Sequence, residues 1–118
     1  QRVRSKNKLV KGNKMTISTA LVTTSAANVY ASSGNTAVTW LTINNYTTGN
    51  AVANVHVVPS GGSANAQNQI LTNLEITAND TYQLYTGGEK LLLNNNDAIQ
   101  AVANVNTTLN VVVSYTSI

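Results

Sequence analysis

From residue 16 to residue 116 the chain alternates short apolar runs with clusters of Asn, Asp, Gly and Ser. The pattern is clearest in the C-terminal part, residues 71–116, where turn-forming residues recur about every eight to twelve positions. That spacing predicts short antiparallel strands joined by tight turns, the layout of a sandwich or barrel. No segment shows the 3.6-residue period of an amphipathic helix.

Read strand by strand, the chain predicts the following. Residues 16–23 alternate, with Ile17, Thr19 and Leu21 on one face, and residues 28–31 give a short second strand around Val29 and Tyr30. Residues 36–44 form the best early strand. Val38 and Trp40 share one of its faces, while Ala37, Thr39, Leu41 and Ile43 share the other, and Leu41 and Ile43 are expected in the core. Residues 51–58 follow, with Val55 and Val57 on one face and Val52, His56 and Val58 on the other. The chain's one proline, Pro59, closes this strand where its missing N–H does no harm. The polar stretch 63–69 is a loop or a single helical turn. Residues 70–76 alternate, and the reading points Ile70, Thr72, Leu74 and Ile76 inward. Residues 81–85 place Tyr82 and Leu84 inward, Gly87-Gly88 turns the chain, and 89–93 return it. After a turn at 94–97, the last strands carry Ile99, Ala101 and Ala103, and then Leu109, Val111, Val113 and Tyr115, on single faces. The expected fold is all-β: an antiparallel β-sandwich, jelly-roll or Ig-like, of eight to nine short strands.

Composition sharpens this picture. At 118 residues one hydrophobic core is expected. Cysteine and phenylalanine are absent, so disulfides and thiolate metal sites are excluded and the core falls to Val, Leu, Ile and Ala, with Trp40 and the tyrosines as the large rings. Charged residues make up 9% of the chain, against about 25% in an average domain. Such a neutral surface suits a protein held in a larger assembly. Trp40 is accordingly a candidate interface residue, since Trp is enriched at interfaces; a plain core position is its other reading.

The charge is unevenly placed. Six of the seven basic residues, Arg2, Arg4, Lys6, Lys8, Lys11 and Lys14, fall in residues 1–14, which contain no acidic residue. Beyond them Lys90 stands against Glu75, Asp80, Glu89 and Asp97, a balance of −3. Two parts are therefore expected: a flexible basic arm, residues 1–14, and a sandwich domain, residues 15–118. The arm has too few apolar residues to order itself, and basic arms bind acidic protein surfaces or nucleic acid. It lacks the interleaved aromatics of a base-stacking segment, so an acidic protein surface is the expected partner and nucleic acid is not. A solvated tail, or a remnant of a longer precursor, is the alternative. No stretch approaches the roughly 18 apolar residues of a membrane helix, and no apolar segment follows the basic start as in a signal peptide.

Motifs of catalysis were sought. The pairs Gly61-Gly62 and Gly87-Gly88 lack the lysine of a phosphate loop. The four carboxylates lie in separate turns and strands, with no pairing suggested for glycoside hydrolysis. His56, the single histidine, has no nucleophile or orienting acid spaced beside it, and reads as a sheet residue. Asn79-Asp80 and residues 94–97 offer oxygen ligands without the spacing of a calcium loop. Glycosylation triplets begin at Asn45, Asn79 and Asn106, as expected by chance in so Asn- and Thr-rich a chain. The expectation is no enzyme, no cofactor and no metal.

Two segments carry a family resemblance: HVVPSGGSANAQNQIL, residues 56–71, and LEITANDTYQLYTGGEKLLLNNNDAIQAVANVNTTLNVVVSYTSI, residues 74–118. The valine-rich strand running into Pro-Ser-Gly-Gly, the Ala-Asn-Asp-Thr turn, the Gly-Glu-Lys strand and the Asn-x-Asp-x-Ile-x-Ala strand resemble small β-sandwich virion proteins of tailed bacteriophages, of the kind met in cyanophages. The resemblance covers residues 15–118 in outline, and its motifs are structural; residues 1–14 depart from it. It implies a virion structural protein: a capsid decoration, or cement, protein on the outer head lattice. The alternative is a tail or fibre module that binds a host receptor or glycan. The implied partners are the major capsid protein or other virion proteins and further copies of the chain, as a trimer. The implied location is the virion, assembled in the host bacterial cytoplasm.

Overall fold

The computed structural model describes residues 15–84 and 88–118, and among them there are nine strands and no helix. They are β1 (Met15–Leu21), β2 (Ala27–Ala31), β3 (Thr36–Asn45), β4 (Ala51–Val58), β5 (Gln69–Ile76), β6 (Thr81–Leu84), β7 (Leu91–Leu93), β8 (Ala98–Ala103) and β9 (Leu109–Ser117). All pairings are antiparallel. One sheet, called A here, runs β1-β9-β3-β6 with β7 also on β3; the other, sheet B, runs β2-β8-β4-β5. β6 pairs with residues 41–44 of β3 and β7 with residues 36–38, so the two act as one interrupted strand beside β3. Counted that way, eight strands are shared four and four, and the chain changes sheet at every connection except β4–β5, the double Greek key of a jelly roll. This decides between the two sandwich types the sequence allows.

The core lies between the sheets. Leu41, Ile43, Ile99 and Leu109 are its largest fully buried side chains, with Val22, Val38, Val55, Val111 and Val113 around them. β8 and β9 alternate as the sequence predicts: Ile99, Ala101 and Ala103 face in, as do Leu109, Val111 and Val113, with Tyr115 packed at the margin. Tyr82 and Leu84 also pack inward. Tyr30 and Tyr115 stack with ring centroids 4.4 Å apart, and the Tyr30 hydroxyl donates to Thr36 Oγ1 at 3.2 Å.

Strands β2, β3 and β5 carry register shifts, whereas β1 alternates without one. In β3, Thr39 is an extra residue against β9, a bulge between Val38↔Tyr115 and Trp40↔Ser114. Its hydroxyl donates to the Ser114 carbonyl at 3.2 Å. The bulge reverses the alternation within the strand, so Val38, Leu41 and Ile43 all face the core and Trp40 faces out. Leu41 and Ile43 are in the core as expected, but Val38 belongs with them and not with Trp40.

In β5, Leu74 and Ile76 face the core as expected, but the order changes before them. Ala53 pairs Leu74 and Val55 pairs Leu71, which leaves two residues of β5 opposite Asn54. Asn73 takes φ 49°, a left-handed conformation that Asn tolerates, and its N–H donates to Asn54 Oδ1 at 2.6 Å. Leu71, Leu74 and Ile76 therefore meet the core, while Ile70 is exposed. In β1 the core receives Ala20, and Val22 just beyond the strand, whereas Ile17 and Leu21 point to solvent.

Candidate interaction surface

Cross-strand partners share a face, so the pairing of sheet A defines its outer surface row by row. Thr116, Ala37 and Leu92 form the first row. Ile17, Ser114 and Trp40 form the second. Thr19, Val112, Thr42 and Gln83 follow, then Leu21, Asn110, Asn44 and Thr81. Four of the chain's exposed large apolar side chains stand here: Ile17 and Leu92 at 66% exposure, Leu21 at 55% and Trp40 at 37%.

None of these positions is charged. Glu75 lies on β5 of the other sheet, Asp80 between β5 and β6, Glu89 and Lys90 before β7, and Asp97 between β7 and β8. The polar groups of the last row bond to one another: Thr81 Oγ1 donates to Asn44 Oδ1 at 2.7 Å, and Asn44 Nδ2 donates to Asn110 Oδ1 at 3.1 Å. The surface is neutral and apolar along β1, Trp40 and Leu92, with polar rows of which the last is bonded internally.

The outer face of sheet B differs. The β4–β5 loop folds across it, and His56 and Val58, which point outward from β4, are buried beneath. His56 Nδ1 lies 3.1 Å from the Asn65 carbonyl and 3.0 Å from Asn68 Oδ1, so the ring N–H donates to this pair of acceptors. Asn68 also accepts from the Asn65 N–H at 3.0 Å and donates to the Ser63 carbonyl at 2.9 Å. Gly62, near Val58, has its N–H bonded to the Pro59 carbonyl at 2.9 Å. The stretch 63–69 is thus a loop pinned by a histidine. The sheet position of His56 agrees with the sequence; its clasp on the loop was not visible there.

Asp97 is a second residue whose work was hidden. Its Oδ1 accepts from the Ser60 N–H and its Oδ2 from the Asn94 N–H, each at 2.9 Å, and its carbonyl accepts from the Ser32 N–H at 2.8 Å. Asn96 beside it has φ 71°, as expected of a tight Asn turn. Asn45, which begins a glycosylation triplet, is fully buried and is a structural residue.

The arm residues Arg2, Arg4, Lys6, Lys8, Lys11 and Lys14, and Gly87 of the second glycine pair, lie outside the described residues. Residue 14 joins β1 at Met15, so the arm attaches to the same sheet that carries the neutral face. Among the described residues no three His, Asp or Glu side chains come together, and no pocket is formed. The surface features define a jelly-roll sandwich with one neutral, partly apolar face and one face covered by its own loop. Comparison of the chain with protein-family models, with curated proteins and with solved structures gives no match.

Proposed function

We propose that this chain is a non-enzymatic structural protein of a bacteriophage virion, a decoration protein that clasps the outer head lattice as a homotrimer. The observation that carries the reading is the division of labour in the molecule. A sandwich with a balance of −3 offers a neutral sheet face, and a segment with six basic residues joins the edge strand of that same sheet. Neutral faces suit contact between protein copies, and a basic arm suits an acidic lattice. The resemblance of residues 56–71 and 74–118 to phage virion sandwiches points the same way. So does the jelly roll, a fold shared by viral coat domains, as an analogy of architecture.

A second reading is a tail or fibre module that binds a host receptor or glycan. One observation favours it: Trp40 stands at the surface of a sheet bearing Thr, Asn and Gln, a setting in which a ring can stack on a sugar. Copy number separates the two. Quantitative gel analysis of purified virions should find the chain in numbers comparable with the coat protein. A count matching the few tail fibres of a particle would instead select the second reading, and absence from the virion would end both.

A further inference from the structure

We infer that the outer face of sheet A is the surface on which copies of this chain meet in solution. The inference rests on the self-association in the reading above and adds the surface on which two copies meet.

The partner follows from the chemistry of the face. No position in its four rows is charged, so the face itself sets no like charges against a second copy. A charged partner, whether an acidic lattice or a nucleic acid, gains nothing at this face. A sugar needs free donors and acceptors beside the ring. The row beside Trp40 leaves Thr19 and Gln83 free, so sugar binding stands as a competing outcome of the test, while in the last row Thr81, Asn44 and Asn110 are bonded to each other and Trp40 shares its row with Ile17. The apolar residues span the sheet from edge to edge: Ile17 and Leu21 on β1, Trp40 on the central strand, Leu92 on β7.

The size is sufficient. Four strands about 4.8 Å apart and about 3.4 Å per residue along β1 give, with side-chain reach, about 500 Å² per copy. A pair would bury about 1,000 Å², the lower bound of a specific interface. Sheet B offers no equal surface, since its own loop covers His56 and Val58.

The test uses the full chain. Sedimentation equilibrium from 1 to 200 μM should show a monomer giving way to a defined oligomer, and the emission of Trp40, the single tryptophan, should shift to the blue in parallel. The double variant I17K/L92K places like charges at both sides of the face on exposed positions. It should stay monomeric at 200 μM while melting cooperatively near the wild-type temperature. The control V105K, exposed in the β8–β9 loop, should assemble like wild type. A wild-type chain that is monomeric throughout overturns the inference, as does an I17K/L92K chain that assembles normally or a V105K chain that does not. A monomer whose Trp40 emission responds to oligosaccharides of glucose, mannose or galactose overturns it in favour of sugar binding. A defined dimer would uphold the face and overturn only the trimer, whereas absence from virions would overturn the virion reading and leave the face untouched.

Discussion

The side-chain amide of Asn45 donates to the main-chain carbonyl of Ile76 across 2.9 Å, joining the last residue of a strand in one sheet to the last residue of a strand in the other. The same amide donates to the Gly49 carbonyl at 2.8 Å, and its oxygen accepts from the Thr47 N–H and hydroxyl at 3.0 and 2.8 Å. Asn45 is fully buried with every hydrogen-bonding group engaged. Asn45→Ala would leave two carbonyls and an N–H short of a partner, at a cost of about 3 kcal/mol. Asn45→Asp should cost at least as much, because it removes both donors and sets oxygen against oxygen. Urea unfolding with an unchanged slope would report this. A loss below about 1 kcal/mol would show that water replaces the amide, and the stitch would lose its importance.

The bulge at Thr39 is expected to be indispensable while its side chain is not. Deleting Thr39 would restore simple alternation and turn either Val38 or the Leu41–Ile43 pair out of the core. The deleted chain should fail to melt cooperatively. Thr39→Val keeps the extra residue and loses one hydrogen bond to Ser114, about 1 kcal/mol. Calorimetry of the two variants compares them directly; a deletion variant with a near wild-type transition would mean that the bulge does not set the faces of β3.

His56 should hold the β4–β5 loop more than it holds the sandwich. His56→Ala removes the ring N–H that both Asn65 and Asn68 accept. Global stability should fall by about 1–2 kcal/mol, and amide exchange at residues 60–68 should accelerate well beyond that of β8. Uniform acceleration across the domain would contradict a local clasp.

Removing residues 1–14 should leave the melting temperature within about 2 °C, equivalent to well under 1 kcal/mol for a domain of this size. Attachment to capsids stripped of the protein should fall sharply. Raising salt from 0.1 to 1 M, which shortens the screening length from about 10 to about 3 Å, should weaken the full chain's attachment in the same way. Truncated protein that decorates particles as fully as the intact chain would exclude the anchor. Tight DNA binding with a steep salt slope would point to nucleic acid instead.

Much of the sandwich was legible in the chain, and the misreadings have physical causes. β8 and β9 read directly because each is paired on both sides, β9 by β1 and β3 and β8 by β2 and β4, so that alternation and burial coincide. β1 is an edge strand in which Ile17, Thr19 and Leu21 share one face as read, and that face is the outer one. β3 and β5 invert at inserted residues. Asn73 carries a faint signal, since Asn adopts positive φ readily, but Thr39 carries none. The neutral face was foreshadowed only by the low charge and by Trp40; its extent depends on which residues pair across four strands. The clasps of His56 and Asp97 join positions far apart in the chain, and periodicity is blind to them.

The place of β9 has a consequence for biosynthesis. It lies between β1 and β3 in sheet A, yet it follows the other eight described strands in chain order, and it supplies Leu109, Val111 and Val113 to the core. A nascent chain that has released β1 through β8 still has a slot open down the middle of one sheet, with apolar side chains exposed on its walls. Such non-local closure is slow, and waiting chains are vulnerable to aggregation. The outer face of sheet A cannot be completed before residues 109–117 emerge, so synthesis itself delays that face until its central strand is in place.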